Sequence, residues 1–344
     1  MRAFVFGAGA SLHAGYPLAR DLWPCMAEWV RANPDAGDGF ADAVQVITTE
    51  FDLTKPFERV LADLDSRIDS ILQRPRGKTL EECEEKFRFV YTRVAVGSMI
   101  PAYFGSLRSK PAEAYRLFAR DKLAPGDAVI TFNYDLALDR ELRRSGKWSI
   151  GHGWGFPIAY AGDAAPADSP CKLLKLHGSI YWLGELFGGR RGFCQTNPLE
   201  GSLGGRPSVA PAAFEFLGYG DASDRQCHNG AVGAPGLIMP TANKKFFVDA
   251  TDGPQWVPFW QCLWSQAAEA LRASDEVYVI GYSMPEYDSH ARELLATRIP
   301  LGVTIRVCCD RGTADAVESL RRLRSGDCNV RPACALTFED WVRA

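Results

Sequence analysis

Five short apolar runs, each followed by glycine or polar residues, alternate along the chain with segments of helical periodicity. Their length and their content of β-branched and aromatic residues are typical of buried strands. The runs span residues 3–6, 128–132, 172–176, 276–280 and 304–308. Because strands that alternate with helices form parallel sheets, we expect an α/β fold, a Rossmann-like parallel sheet with helices on both faces.

The intervening segments carry apolar residues three and four positions apart, as in helices that bury one face. The first of them places Leu18, Leu22 and Met26 on one side. Another helix is predicted to begin at Ser283, because Glu286 follows three residues later as in a capping box. The predicted helices span residues 18–33, 57–73, 79–107, 136 onward, 256–273, 283–299 and 313–324.

Two stretches interrupt the alternation of strands and helices. Residues from about 40 to 120 are mostly of helical pattern and predict a helical insertion beside the sheet. Residues from about 183 to 254 are rich in Gly, Pro and Asn and predict a loop-rich insertion. Neither stretch is clearly separable from the rest, so we expect a single domain over residues 1–344.

The charge balance, 39 basic against 42 acidic residues, favours neither nucleic acid nor an anionic membrane as a direct partner. The ten cysteines show no C-x-x-C spacing, which predicts free thiols in a reducing compartment and no structural zinc site. No apolar window reaches the length of a membrane-spanning helix. We therefore expect a cytoplasmic protein.

Each predicted strand ends at glycine or at residues with polar side chains. The carboxyl ends of parallel strands meet at one edge of a sheet, where loops and helix N-termini form a crevice for ligands. The five ends together therefore predict one site. They contribute residues 7–11, Asn133 with Asp135, residues 177–179, Gly281 with Ser283, and Asp310.

The first strand end has the composition of a phosphate-binding turn. Gly7 and Gly9 permit a close approach of the backbone that larger residues forbid. Ser11 and the segment up to residue 15 are able to present N–H groups to an anion. This end of the chain therefore predicts a nucleotide site, although an ordinary tight turn would have the same glycines.

The other polar residues also have structural explanations. Asn133 and Asp135 are natural helix caps, and Ser283 has the spacing of an N-cap residue. His177 is as well suited to a structural hydrogen bond in its turn as to catalysis. These alternatives stay open at the level of the individual residue.

Three nucleotide and hydrolase motifs are disfavoured. Leu12 stands where the dinucleotide fingerprint requires glycine, which disfavours a hydride-transferring dehydrogenase. No G-K-[ST] follows the glycine turn, which disfavours a P-loop enzyme. The segment around Ser283 is similar to a nucleophile elbow but lacks the last glycine. Asp288 and His290, two residues apart on one predicted helix, point in different directions and do not complete a triad.

Four motifs in this chain resemble the sirtuin-like NAD-binding superfamily, in the family's order. They are GAGAS with GYP, TFNYD, LHGS and GYSMPEYD, which begin at Gly7, Gly15, Thr131, Leu176 and Gly281. The chain lacks the paired zinc-binding cysteines of sirtuin deacylases, and Leu-Ala-Arg-Asp at 18–21 replaces their acidic Phe-Arg segment. GYSMPEYD is closer to the branch found in bacterial antiphage defence, whose members hydrolyse NAD.

The resemblance implies NAD+ as substrate, with no metal. It implies a cofactor-binding set, in which the glycine turn holds the pyrophosphate, the end of the fourth strand faces it, and Asp310 binds the adenosine ribose. That set comprises Gly7, Ala8, Gly9, Ser11, Gly281, Ser283 and Asp310.

The same resemblance implies three catalytic residues. Asn133 would orient water or the ribose, and Asp135 would contact the nicotinamide or its ribose. His177 would reach a ribose hydroxyl or the attacking water as polarising group or general base.

These residues predict an NAD+ hydrolase, and the resemblance implies an antiphage effector regulated through a homo-oligomer or an activating protein partner. Two other hypotheses are a non-catalytic sensor of NAD or ADP-ribose, and an NAD-dependent protein deacylase or ADP-ribosyltransferase. The missing zinc cysteines count against deacylation.

Overall fold

The structure is a computed structural model, and its described residues include nearly all of the predicted sheet. They are 1–37, 39–73, 80–107, 111–148, 159–160, 169–185, 193–195, 207–208, 226–227, 231–237, 257–334 and 337–344. Most of the loop-rich stretch predicted at 183–254 lies outside them.

The strands predicted from the apolar runs are present, two of them with the predicted bounds, Glu276–Ile280 and Thr304–Cys308. The described strands are β1 Arg2–Phe6, β2 Ala128–Thr131, β3 Ala159–Tyr160, β4 Lys172–Lys175, β5 Gly178–Glu185, β6 Phe193–Gln195, β7 Pro207–Ser208, β8 Gln226–Cys227, β9 Ala231–Leu237, β10 Glu276–Ile280, β11 Thr304–Cys308 and β12 Val330–Pro332.

Six of these strands form one parallel sheet in the order β12, β11, β10, β1, β2, β4. The chain runs from β1 outward through β2 to β4, then returns to the other side of β1 for β10, β11 and β12. The strand order therefore reverses between β1 and β10, and ligands of open parallel sheets bind outside such a switch point. The remaining strands form small antiparallel pairings.

Helices surround the sheet, so the predicted α/β class is confirmed. The described α-helices are α1 Ala19–Ala32, α2 Phe40–Glu50, α3 Phe57–Gln73, α4 Leu80–Ser106, α5 Glu113–Leu117, α6 Ala137–Arg144, α7 Val257–Arg272, α8 Ser289–Thr297, α9 Thr313–Leu323 and α10 Phe338–Arg343. Ala8–Ala14 and Asp310–Gly312 are 3-10 helices, and Phe118–Lys122 is a π-helical turn. Five α-helices, α1 to α5, lie between β1 and β2 along the chain, and α2 to α5 fall within the stretch from about 40 to 120 that was predicted as a helical insertion.

The strand β1 lies at the centre of the core. Its residues from Ala3 to Phe6 have no exposed surface, which explains a continuous apolar run rather than an alternating one. Phe4 and Phe6 both contact the ring of Phe118, each with ring centroids 5.0 Å apart. Among the described residues, no helix combines the length and the apolar composition that a membrane span requires.

One predicted helix start is wrong. The helix expected from Ser283 begins six residues later, at Ser289, so Ser283 does not cap it. The backbone explains the difference, because Gly281 and Met284 both have positive φ, +65° and 58°, which is incompatible with a right-handed helix. Residues 281–288 therefore form a loop at the end of β10, next to the switch point of the sheet.

Candidate functional site

One cavity lies at the carboxyl edge of the sheet, with a volume of about 470 Å³, within the usual range for small-molecule sites. Residues from all five predicted strand ends line it. Every predicted site residue is among its lining residues: Gly7, Ala8, Gly9, Ser11, Asn133, Asp135, His177, Gly281, Ser283 and Asp310.

The glycine turn after β1 is locked to the end of β10. The Gly7 N–H donates to the Ile280 carbonyl and the Gly9 N–H to the Gly281 carbonyl, each at 2.9 Å. A Cβ atom at Gly7 would lie 2.7 Å from the Gly281 oxygen, closer than real Cβ contacts allow. These glycines are therefore required for the close approach of two strand ends.

The same hydrogen bonds limit which amides of the turn face a ligand. The N–H groups of Gly7 and Gly9 are engaged by β10, and the Ala10 N–H donates to the Gly7 carbonyl at 3.0 Å. The Ala8 N–H has no hydrogen-bond partner among the described residues. In this turn, Ala8 is thus the residue whose amide is available to an anion.

Ser11 forms the centre of a buried hydrogen-bond network. Its hydroxyl lies 2.7 Å from an oxygen of Asp135, 2.9 Å from the Tyr115 hydroxyl and 3.0 Å from the Asn133 side-chain nitrogen. Since an ionised carboxylate only accepts, Ser11 donates its proton to Asp135, and Tyr115 donates to Ser11. Burial holds the pKa of Tyr115 well above its usual value, which keeps that donor protonated.

Asp135 has both carboxylate oxygens engaged. One accepts from Ser11, and the other accepts from the Ala137 N–H at 2.9 Å, in the first turn of α6. The capping explanation considered for Asp135 is therefore observed in the structure, and its contact with a ligand stays a prediction. The Ser11 hydroxyl likewise forms its hydrogen bonds with Tyr115, Asp135 and Asn133. Its predicted contact with pyrophosphate therefore stays a prediction.

Asn133 does not cap the following helix. Its side-chain nitrogen donates to the Gly7 carbonyl at 2.9 Å and to the Ser11 hydroxyl at 3.0 Å. Because a carbonyl only accepts, these contacts fix which end of the amide carries the NH2 group. The side-chain oxygen of Asn133 has no partner among the described residues and is available to a ligand hydroxyl or a water.

His177 follows β4 and is buried, with 7% of its surface exposed. Its ring packs on Phe132 with ring centroids 5.1 Å apart. Its Nε2 atom lies 3.7 Å from an oxygen of Asp288, which is ion-pair distance but beyond hydrogen-bond range. The other oxygen of Asp288 accepts from the Tyr282 hydroxyl at 2.9 Å. The sequence places Asp288 at the end of the GYSMPEYD motif but does not predict its contact with His177.

The rim of the cavity contributes charged and polar groups. Ser283 and Asp310 are both exposed, and the carboxylate of Asp310 has no partner among the described residues. Arg20, which the motifs also missed, is the only arginine or lysine among the described lining residues. Its side chain is 79% exposed and, within the described part of the chain, pairs with Asp21 alone, at 3.6 Å.

Within the described part of the chain, no group of three or more His, Cys, Asp and Glu side chains is arranged to hold a metal ion. Cys308 and Cys309 line the cavity, but burial raises the pKa of these thiols, to about 11 and about 12 respectively. Neither thiol is therefore a good nucleophile or metal ligand at neutral pH.

The course of the chain is similar to that of several solved sirtuin structures. The Sir2–p53 peptide–NAD+ structure has 15% identity, covering 94% of this chain and 92% of that chain, with a TM-score of 0.38. Sir2Tm bound to a propionylated peptide has the same values. SIR2 with the inhibitor EX-527, 2'-O-acetyl-ADP-ribose and a deacetylated p53 peptide has 14% identity, coverage of 94% and 93%, and a TM-score of 0.37.

No protein-family model and no curated protein matches the chain. The scores of the structural neighbours are low, so the similarity assigns no role to individual residues of this chain.

Proposed function

We propose that the protein is an NAD+ hydrolase that cleaves the nicotinamide–ribose bond to give nicotinamide and ADP-ribose. The observation that carries the proposal is that the free side-chain oxygen of Asn133 and the imidazole of His177 line the same cavity as the glycine turn. The ribose of a substrate bound at the turn would thus lie in the same cavity as a hydrogen-bond acceptor, the Asn133 oxygen, and a base, the His177 imidazole.

The phosphate end of the substrate is proposed to lie at the turn and the rim. The Ala8 N–H has no hydrogen-bond partner among the described residues and is proposed to bind a phosphate oxygen. Arg20 is proposed to supply the positive charge that complements a pyrophosphate. Gly7, Gly9 and Gly281 are proposed to serve this site indirectly, by letting the turn pack against the end of β10. Ser283 and Asp310 are proposed to contact the phosphate and the adenosine ribose, for which an exposed hydroxyl and a free carboxylate are suitable.

Cleavage of the nicotinamide–ribose bond requires the protein mainly to position the ribose and the attacking water. The bond between the ribose C1′ atom and the pyridinium nitrogen breaks, and its electron pair neutralises the departing nicotinamide. A water oxygen bonds to C1′ and gives its proton to His177, which releases it to solvent. The oxocarbenium-like state resembles that of glycoside hydrolysis, and the Asn133 oxygen is proposed to orient the water or a ribose hydroxyl.

An overnight incubation of the purified protein with NAD+, analysed for nicotinamide and ADP-ribose, tests the proposal. We expect both products from the natural chain and almost none from Asn133→Ala or His177→Ala. Asn33→Ala is a matched control, since Asn33 is exposed and its side chain donates to the Trp29 carbonyl in the last turn of α1, its one side-chain hydrogen bond within the described residues. Full activity of the Asn133 and His177 variants would contradict the site.

We further propose, on the motif resemblance alone, that the enzyme is a regulated effector of bacterial antiphage defence in the cytoplasm, controlled by self-assembly or a protein partner. The NAD+ assay is therefore run with and without candidate activators. Calorimetric binding of NAD+ without turnover in any condition would favour a sensor. NAD+ consumption only with an acyl-lysine peptide or an acceptor protein would favour a deacylase or an ADP-ribosyltransferase.

A further inference from the structure

The loop after β10 ends at Asp288, whose carboxylate does not form the capping hydrogen bond expected at its position. Asp288 is the N-cap residue of α8, where aspartate ordinarily accepts a hydrogen bond from the first turn of the helix. Its side chain makes no such bond. One of its carboxylate oxygens instead accepts from the Tyr282 hydroxyl, and the other lies 3.7 Å from Nε2 of His177.

The position of the carboxylate is set by several independent contacts. The Tyr282 hydroxyl donates to it at 2.9 Å, and the Asp288 N–H donates to the Pro285 carbonyl at 3.0 Å. The Asp288 carbonyl accepts from the Arg292 N–H at 3.0 Å. The Asp288 side chain is 4% exposed, so its negative charge is screened only weakly by solvent.

We propose that Asp288, held by Tyr282, is the positioning residue of His177: it orients the imidazole and stabilises its protonated form. The inference rests on the proposed function in one respect, the role of His177 as general base. A carboxylate within ion-pair distance of Nε2 favours the protonated imidazole, which is the form that His177 takes when it accepts the proton of water. The proton later returns to solvent, so the pair is unchanged after each turnover.

Other titratable groups lie near this pair or near the rings of Tyr134, Trp264 and Tyr282 that contact it, on α3, α4, the end of β2, the 281–288 loop and α8. They are Glu58, Arg93, Tyr134, Tyr287, His290 and Arg292. Burial raises the pKa of each tyrosine well above its usual value, so these rings stay neutral near pH 7. Arg93 is paired with Asp65. The neighbouring tyrosines therefore contribute no charge, and Asp288 is a carboxylate within ion-pair distance of His177.

Nuclear magnetic resonance of protein labelled with [13Cε1]histidine tests the coupling without relying on activity. The chain has only five histidines, and a His177→Gln sample assigns the signal. We expect the pKa of His177 to lie above about 6.5 in the natural chain and to fall by about one to three units in Asp288→Asn. Glu286→Gln, which removes an exposed carboxylate from the same loop, is the matched control and should leave the titration unchanged.

An unchanged titration in a folded Asp288→Asn variant would overturn the proposal. If that variant does not fold, the natural chain still decides, because a pKa of His177 at or below about 6.5 would mean that burial outweighs any carboxylate partner. In the NAD+ assay, we expect Asp288→Asn to lower kcat by up to about 100-fold with little change in KM, and to move the acid limb of the kcat profile to lower pH. Absence of NAD+ cleavage in the natural chain would contradict the proposed function but leave the measured coupling intact.

Discussion

The Asn133 side-chain nitrogen donates a 3.0 Å hydrogen bond to the Ser11 hydroxyl, and this contact joins the segments that follow β1 and β2. Ser11 in turn is held by Tyr115 and Asp135. The orientation of Asn133, and with it the free side-chain oxygen that faces the cavity, therefore depends on three residues besides Asn133 and Gly7. None of these side chains is more than 9% exposed.

Replacement of Ser11 by alanine should therefore affect both stability and activity. Ser11→Ala leaves the Tyr115 hydroxyl, an Asp135 oxygen and an Asn133 proton without their partner, and each buried orphan costs about 1–3 kcal/mol. We expect urea unfolding to show a loss of at least about 2 kcal/mol, and NAD+ turnover to fall in the fraction that remains folded.

Ser66→Ala is the control for stability, because Ser66 is exposed and its hydroxyl donates to the Ala62 carbonyl of its own helix, with no other partner among the described residues. It should change the unfolding free energy by less than about 0.5 kcal/mol. Equal effects of the two substitutions would show that the Ser11 network contributes nothing specific.

At the junction between Gly281 and the glycine turn, the cost of an unfavourable backbone φ can be separated from the cost of steric overlap by comparing two glycine substitutions. Gly281→Ala combines an unfavourable φ of +65° with overlap of the new methyl group and the backbone of Gly9 and Ala10. Gly146 has a similar φ of +69° but open space around its Cβ position. We expect Gly146→Ala to cost about 1–2 kcal/mol and Gly281→Ala about 3 kcal/mol or more in urea unfolding. Similar losses would mean that the turn adjusts without penalty.

The same junction shows what the sequence could and could not predict. A close approach of the backbone was predictable at Gly7 and Gly9, because they follow a buried strand directly, although an ordinary tight turn would have the same glycines. The hydrogen-bond partners of these glycines were not predictable. The Gly7 and Gly9 N–H groups donate to the Ile280 and Gly281 carbonyls, and these contacts depend on β1 and β10 being neighbours in the sheet. A sequence predicts that parallel strands exist more readily than it predicts which strands are neighbours.

Tertiary contacts also explain the elements that the pattern missed. The strand Val330–Pro332 has only one buried residue and ends in proline, so no apolar run marks it. The helix Phe338–Arg343 is only six residues long and is held by ring contacts of Phe338 and Trp341 with the phenylalanines of β1. Likewise, the contact of His177 with Asp288 joins residues 111 positions apart, a pairing that no local pattern encodes.

The stability of the protein should depend on pH through His13. Its Nδ1 atom lies 2.8 Å from the Ala10 carbonyl, and its buried Nε2 atom has no hydrogen-bond partner among the described residues. Burial lowers the pKa of His13, so the unfolded chain binds a proton at a higher pH than the folded one. The free energy of unfolding should therefore fall as pH decreases from about 7 through the unfolded-state pKa of about 6.5. Urea unfolding at several pH values should show a weaker pH dependence for His13→Gln, and an identical dependence would contradict this assignment.

Arg20 should contribute to substrate binding and not to the chemical step. Its side chain is largely exposed at the rim, with one weak contact to Asp21, so its removal should leave stability nearly unchanged. We expect Arg20→Ala to raise the KM for NAD+ about tenfold, as for loss of one charge-assisted hydrogen bond, with little effect on kcat. Arg31→Ala, an exposed arginine on the same helix but not in the cavity lining, is the control. A lower kcat at unchanged KM would contradict this role.

The buried pair of Lys175 and Asp139 should support the site from the protein interior. The Lys175 ammonium, which has no exposed surface, donates to Asp139 at 3.0 Å and to the Asp135 carbonyl at 2.6 Å. Burial raises the pKa of Asp139, and the charge of Lys175 opposes that shift. Lys175→Met should thus cost about 3–5 kcal/mol in urea unfolding, because it leaves a buried carboxylate without its counterion.

The double variant Lys175→Met with Asp139→Leu should regain most of that stability, since replacing both charges by apolar groups removes the uncompensated one. Its NAD+ turnover should nevertheless stay below that of the natural chain, because the Asp135 carbonyl has lost the donor that holds the segment carrying Asn133. Additive losses in the double-mutant cycle would contradict a coupled pair. Full turnover in the stable double variant would show that Lys175 contributes to the fold and not to the placement of the site.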